Sequence, residues 1–330
     1  MNKKAIVLLS GGLDSILATR LMMELDIEVV CVHYYIEFAA CGGGEGPATK
    51  AAKALGVPLK IFDITVEYLE MFRKPKHGYG ANINPCIDCK IFMLKKAKEY
   101  MAEVGASFLV TGEVLGERPM SQRRDALHII EKQADVRGIL LRPLTAKMLE
   151  PTLPEKEGVV DREKLLDIKG RGRKPQIELA AKFGIKEYPN PSGGCLLTDP
   201  GFTKRVKDLI AHNELNLENL RLLKVGRHFR LSDKAKLVVG RDKKDNDEIE
   251  SLVKDGDTCF RLNDRQGPFS ILRGPADEAL IRRAAEIMAQ HTKYRGEEFL
   301  KIIYWRQGSD ERGVLPVRAA STDDVAKIRI

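Results

Sequence analysis

The feature that most constrains this chain is the exchange, over its first 145 residues, of short apolar runs with longer amphipathic ones. Residues 4–9, 28–34, 59–64, 108–111 and 139–142 read as strands. Residues 14–24, 47–55, 87–104 and 122–134 read as helices. Strands that are apolar at almost every position must be covered on both faces. The alternation therefore predicts an α/β class with a parallel sheet, which takes ligands at the carboxyl ends of its strands.

At 330 residues the chain is long enough for more than one core. Its 43% hydrophobic and 31% charged residues exclude a disordered chain. No apolar run approaches the ~18–20 residues of a membrane span. The N-terminal run 5–9 is too brief for a signal-peptide core, so the expected location is cytoplasmic, with no membrane partner. Residues 150–200 are richer in Pro, Gly and Lys, with one helix expected at 175–183 between Pro175 and Gly184. From about residue 203 the pattern changes. A helix at 203–211 precedes strands at 227–231, 235–239, 258–262 and 269–272, a helix at 276–290 and a strand at 298–304. The expected organisation is a domain over 1–202, a smaller α+β domain over 203–308 and a C-terminal tail over 309–330.

Directly after the first strand stand Ser10, Gly11, Gly12, Leu13, Asp14 and Ser15, and then a helix begins. Two glycines let backbone N–H groups approach an anion, two hydroxyls add donors, and a helix N-terminus favours negative charge. There is no lysine of the Walker A kind. This segment resembles the SGGxDS loop of the PP-loop ATP pyrophosphatases, an adenine nucleotide alpha hydrolase-like fold. That superfamily cleaves ATP between its α- and β-phosphates, adenylates a carbonyl oxygen and lets a nucleophile displace AMP. The resemblance implies that Ser10, Gly11, Gly12, Asp14 and Ser15 hold pyrophosphate, with Asp14 near Mg2+ and Val32 and His33 near the adenine. The stretch 111–122 after the fourth strand suits a nucleotide or substrate loop; Gly112 is expected near ATP, and Arg118, Ser121 and Gln122 face ATP or the acceptor base.

Cys86 and Cys89 form a C-x-x-C at the start of a helix, where free N–H groups and the dipole favour thiolate. Cys195 follows Gly193 and Gly194. From the residues alone three readings stand side by side. One is a zinc site completed by a histidine such as His77. Another is a redox pair, which does not need Cys195. The third is an iron–sulfur cluster with one iron open to an exogenous ligand. A PP-loop followed by C-x-x-C and a distant third cysteine resembles the iron–sulfur-dependent tRNA thiouridine synthases, which are 2-thiouridylase-like. That resemblance implies that Cys86, Cys89 and Cys195 ligate a 4Fe-4S cluster and, with Asp14 and Ser15, are catalytic. Cys31 and Cys259 read as core residues, and Cys41 stands in the glycine-rich stretch 39–44.

Residues 203–306 are similar to the NFACT-type RNA-binding module at Gly226–Arg230, Val239–Asn246, Gly267–Pro268 and Lys301–Tyr304. Arg227, Arg230, Arg241, Lys243 and Lys244 are expected on phosphates, with His228 and Phe229 interleaved for stacking. Residues 1–200 carry 29 basic against 26 acidic side chains and residues 201–330 carry 26 against 21, so the shorter part is the more basic. No THUMP-like segment ahead of the loop, as in the 4-thiouridine synthases, and no rhodanese-like domain is expected. The modified uridine and the oligomeric state therefore stay open. The implied activity is ATP-dependent tRNA thiolation, with tRNA and a sulfur donor (sulfide or a persulfide carrier) as partners. The alternatives are a PP-loop ligase or base-modifying enzyme with a zinc-type cysteine site, and a non-catalytic RNA-binding protein.

Overall fold

The computed structural model describes residues 1–38, 46–189 and 195–330. The chain divides into two compact units, Met1–Thr198 and Asp199–Ile330.

In the first unit, β1 (Lys4–Leu8), β2 (Glu28–Tyr35), β3 (Leu59–Asp63), β4 (Phe108–Val110) and β5 (Leu140–Leu141) form one sheet in the order β3-β2-β1-β4-β5. Every pairing is parallel, with Val7 opposite both Cys31 and Val110. Ala5, Ile6 and Val7 are all fully buried, as a strand covered on both faces requires. On one face Ala5, Val7, Phe108 and Val110 meet Leu13, Leu17 and Leu21 of α1 (Leu13–Glu24). The remaining helices are α2 (Pro47–Leu55), α3 (Thr65–Arg73), α4 (Cys86–Glu103), α5 (Arg124–Gln133), α6 (Leu153–Lys156) and α7 (Lys174–Lys182). The sequence pattern does not announce α3. Its buried Thr65, Tyr68, Leu69 and Phe72 are β-branched or aromatic for the most part, residues whose propensity points away from helix.

The second unit opens with α8 (Pro200–Ala211), which starts earlier than expected because the Asp199 carboxylate caps it, accepting from the Phe202 N–H at 2.6 Å. Next come α9 (Leu217–Leu222), β6 (Arg227–Ser232), β7 (Ala235–Val239), α10 (Lys243–Ser251), β8 (Thr258–Leu262), β9 (Ser270–Arg273), α11 (Glu278–Gln290) and β10 (Leu300–Arg306). Residues 309–330 are not a tail. They supply β11 (Arg312–Val317), whose Val317 joins the core, and α12 (Thr322–Lys327). Both are short and fully bury one side chain each, and Pro316 interrupts the strand, which hides their periodicity in the sequence. The sheet order is β11-β10-β8-β9-β7-β6, antiparallel throughout. Phe229, Leu237, Phe260 and Ile302 face Ala284, Ala285 and Met288 of α11, while Val238, Cys259 and Ile271 face Ile249 of α10.

Candidate functional site

The loop between β1 and α1 is shaped by close backbone approach. Gly11 has φ +81°, and a Cβ there would lie 2.2 Å from the carbonyl carbon of Pro47. Gly12 caps α1 in an extended conformation and no side chain caps the helix, so its first-turn N–H groups have no side-chain acceptor. The Ser15 hydroxyl donates to the Gly12 carbonyl at 2.8 Å and lies 3.2 Å from the Ser10 hydroxyl. Gly112, just beyond β4, passes so near that a Cβ would sit 2.4 Å from the carbonyl of Asp14 and 2.6 Å from the Ser15 nitrogen. Ser10, Gly11, Gly12, Asp14, Ser15 and Gly112 therefore meet at the carboxyl edge of the sheet. Val32 contributes backbone only. Its side chain is in the core, and its carbonyl accepts from the Leu9 N–H at 2.9 Å. His33 Nδ1 lies 3.1 Å from the Leu9 carbonyl, and burial pulls the ring's pKa down. A carbonyl only accepts, so that nitrogen carries the proton. Gln122 is spent on the loop itself, its Oε1 accepting from the Arg118 N–H at 3.0 Å. Ser121 is buried.

Around Asp14 the structure gathers polar groups that the sequence reading missed. Arg173 Nη2 lies 4.0 Å from Asp14 Oδ2, whereas Asp14 Oδ1 is buried with no hydrogen-bond partner among the described residues. Burial raises the pKa of Asp14, opposed by the charges of Arg173 and Arg118. Glu117 is raised too, by burial and then by the negative charge of Asp14. Gln176 of α7 is fully buried and close enough to Asp14 to lower its carboxyl pKa, yet among the described residues neither of its amide atoms, nor Arg173 Nε or Glu117 Oε2, has a hydrogen-bond partner of good geometry. Buried polar atoms left unpaired cost about 1–3 kcal/mol each. Such a concentration of unpaired donors and acceptors is chemically suited to a polar ligand. The signal in the sequence was the run Gly170-Arg171-Gly172-Arg173 before a Pro-initiated helix.

A buried ion cluster fastens the loop after β4. Glu113 accepts from Arg142 Nε at 3.0 Å and from the Thr111 hydroxyl at 3.2 Å, with Lys90 Nζ at 3.6 Å. Arg142 also pairs with Glu131. The positive charges of Lys90 and Arg142 outweigh desolvation and hold the Glu113 carboxyl below its ordinary pKa.

Cys86 and Cys89 occupy the first turn of α4, and the Asn84 amide donates to Cys86 Sγ at 3.0 Å. The Tyr68 hydroxyl of α3 bonds the Cys89 thiol and lies in the electrostatic reach of Cys86 and Cys195 as well. Cys195 is brought alongside by its neighbours. The Leu196 N–H donates to the Phe38 carbonyl at 2.8 Å, and the Asn82 amide donates to the Thr198 carbonyl at 3.1 Å. The three thiols are thus neighbours, although no three His, Cys, Asp or Glu side chains among the described residues are gathered closely enough to hold a metal ion. The expected thiolate-favouring helix start is overruled at Cys89. Burial pushes that thiol up to about 12, and Cys195 to about 11. His77 does not complete a zinc set, because its Nδ1 is held by Asp88 at 3.1 Å and its Nε2 by Gln133 at 2.9 Å. Cys31 and Cys259 are core residues, each pushed up to about 12 by burial. Cys41 and residues 191–194 lie outside the described residues.

In the second unit the expected basic cluster is partly dismantled. Arg230 is consumed by Asp208 at 3.1 Å and Glu214 at 2.8 Å. Phe229 is in the core, stacked on His291 at 5.4 Å, and His228 is buried with Nε2 2.8 Å from the Val225 carbonyl, so neither is placed to stack a base. Lys243 and Lys244 are exposed, and Arg227 is half-buried.

Residues 1–150 match the family described as Thiamine biosynthesis protein (ThiI), and residues 226–329 match the NFACT protein RNA binding domain. Among curated proteins, a probable tRNA sulfurtransferase of Thermococcus kodakarensis is 30% identical over 166 residues, covering 48% of this chain and 39% of that protein. A tRNA-specific 2-thiouridylase MnmA of Syntrophotalea carbinolica is 31% identical over 121 residues, 34% of each chain. The chain thus spans between a third and two fifths of the length of these relatives. A solved structure of the U34-tRNA thiolase NcsA from Methanococcus maripaludis with its [4Fe-4S] cluster is 16% identical, covers 68% of this chain and 71% of its own, and has a TM-score of 0.33. A parallel sheet with a glycine-rich loop at its carboxyl edge in the first unit, and an antiparallel sheet in the second, agree with these two family matches.

Proposed function

We propose that this chain is an ATP-dependent tRNA sulfurtransferase that adenylates a uridine carbonyl oxygen and replaces it with sulfur. The observation that carries the reading is the set of unpaired buried polar atoms on Asp14, Glu117, Arg173 and Gln176 beside the uncapped start of α1, with three neighbouring thiols in the same unit. The α1 N–H groups and the Ser10 and Ser15 hydroxyls donate to phosphate oxygens. Arg173 and Arg118 balance charge as the uridine oxygen attacks the α-phosphorus and pyrophosphate departs. A sulfur nucleophile then displaces AMP from the adenylated carbon. Asp14 is the residue to hold Mg2+, which supplies positive charge at the leaving pyrophosphate. An all-thiol donor set without histidine fits iron–sulfur ligation better than a catalytic zinc site. Cys86, Cys89 and Cys195 would hold a 4Fe-4S cluster, which when bound supplies an iron with an open position for sulfide. Cys89 and Cys195 must lose their protons to ligate. The second unit takes the tRNA, the sulfur donor is sulfide or a persulfide carrier, and the setting is cytoplasmic.

The test has two parts. The protein is purified without oxygen and assayed for iron and acid-labile sulfide, and tRNA nucleosides from a deletion strain are compared with its parent by mass spectrometry. The expected results are bound iron and sulfide, lost in Cys86→Ala, Cys89→Ala and Cys195→Ala, and a missing thiouridine in the deletion strain. Full thiolation by all three variants sinks the cluster mechanism. Bound zinc with an unchanged thionucleoside profile moves the chain to the ligase reading.

A further inference from the structure

Four arginines far apart in sequence converge on the second unit. Arg205 lies on α8, Arg227 begins β6, Arg241 follows β7, and Arg329 is next to the last residue. The C-terminal residues lie antiparallel on the free edge of β6. Arg329 stands opposite Phe229, the Arg230 N–H donates to the Ile328 carbonyl at 3.1 Å, and the Ile330 N–H donates to the His228 carbonyl at 3.0 Å. Lys204 Nζ donates to the Arg329 carbonyl at 2.7 Å, which ties this segment to α8. Arg227 Nη1 donates to the Gly240 carbonyl at 3.2 Å, beside Arg241.

These guanidinium groups act on one another. Burial, together with Arg329 and Arg241, depresses the pKa of both Arg205 and Arg227. Asp199, Asp242 and Asp245 are the opposing carboxylates. Asp245 is already engaged, bonding the Arg241 guanidinium and accepting from the backbone N–H groups of Gly226 at 3.0 Å and Arg241 at 3.1 Å. The Arg329 guanidinium makes no hydrogen bond or ion pair among the described residues. His291 lies in the same field. Its Nε2 is buried without a partner among the described residues, and burial with Arg227, Arg329 and Arg295 pushes the ring down to about 4. Elsewhere in this unit arginines are matched by carboxylates, Arg230 by Asp208 and Glu214, and Arg273 by Asp257 at 2.8 Å. Arg241 has Asp245 as its partner, whereas Arg205, Arg227 and Arg329 make no ion pair among the described residues; such an excess of positive charge at a strand edge is what a polyanion neutralises.

We propose that Arg205, Arg227, Arg241 and Arg329 form the grip of the second unit on the phosphate backbone of RNA, with His291 beneath it. This rests on the tRNA-modifying reading above. It keeps Arg227 and Arg241 of the sequence expectation, which also named Arg230, Lys243 and Lys244 with Phe229 and His228 interleaved, and adds Arg205 and Arg329 in place of the carboxylate-bound Arg230. The backbone of a folded RNA offers successive phosphates to several arginines, whereas a small anion engages one or two.

The test uses the full chain and a fluorescently labelled tRNA transcript, with anisotropy read between about 50 and about 200 mM KCl. Replacing Arg227 and Arg329 together by Gln is expected to weaken binding at low salt and to reduce the salt slope by about 2, one for each phosphate no longer neutralised. The double Lys variant keeps the charge and is expected to keep the slope. Arg312→Gln, on β11 at the opposite edge of the sheet, is expected to bind as wild type. In NMR titrations of the His291 ring, tRNA is expected to raise its pKa, and pyrophosphate serves as the small-anion comparison. Wild-type binding with an unchanged slope in the double Gln variant overturns the grip while leaving the tRNA reading intact. A His291 response to pyrophosphate alone reassigns the cluster to small anions. No binding of tRNA by the wild-type chain overturns both.

Discussion

Gly112→Ala tests how rigidly the two loops of the candidate site are apposed. A Cβ at this position would lie 2.4 Å from backbone atoms of Asp14, about 1 Å short of ordinary contact, which begins near 3.4 Å. The obstacle is backbone, so no side-chain rotation relieves it. Gly112 is not among the positive-φ glycines, so alanine adds crowding without conformational strain. Overpacking of this kind costs about 1–3 kcal/mol. In a unit of Met1–Thr198, each kcal/mol lowers Tm by about 2–4 °C. The functional effect is the larger one, because a displacement of about 1 Å between reacting groups costs about 100-fold in rate. The assay is AMP formation from ATP with tRNA, alongside nucleotide binding by calorimetry and a thermal melt. Gly296→Ala, with no atom within 4 Å of the added Cβ and an ordinary φ, is the unhindered control. Wild-type nucleotide binding and melting by Gly112→Ala would refute the claim that this contact sets the geometry of the site.

Buried charges and amides elsewhere give further outcomes. Arg142→Met leaves Glu113 buried with only Thr111 and the more distant Lys90 as partners and is expected to cost about 3–5 kcal/mol in urea unfolding. Adding Glu113→Leu should recover part of that loss, and a double variant as unstable as the single one would show that charge is not the cause. Gln176→Leu removes two unpaired buried amide atoms and is expected to hold or raise Tm while weakening ATP binding; a variant that binds ATP normally would take Gln176 out of the site. Burial pushes Lys236 down to about 7 from its ordinary 10.5, so between those values the unfolded chain holds a proton that the folded chain has released. Stability from this group therefore rises with pH across that window. Lys236→Met is expected to flatten the rise in urea midpoints between pH 7 and pH 9, and identical profiles would contradict it.

Much of the fold was legible because strands and helices write their periods into the sequence. The apolar run around Ala5, Ile6 and Val7, followed by Gly11 and Gly12 and a helix, could only be a buried parallel strand turning into a helix start. Helix α10 was illegible for the opposite reason. It buries only Asp245 and Ile249, so it leaves no apolar stripe to read. Strand β11 and helix α12 bury Val317 and Val325 and little else, and so passed for a tail.

The candidate site divides in the same way. Ser10 to Ser15 was legible as a candidate phosphate loop, since such a loop is built from consecutive residues. The neighbourhood of Cys86 and Cys89 was legible from their spacing on a helix. The sequence by itself therefore determined the loop, the thiol pair and the alternation that puts both in an α/β unit. The tertiary structure alone decided that Gln176, Arg173 and Glu117 surround Asp14, that burial keeps Cys89 and Cys195 protonated, and that Arg230 is consumed by carboxylates while Arg329 stands among other arginines. Those outcomes depend on desolvation and on which charges lie nearby in space, and residues far apart along the chain carry no local mark of either.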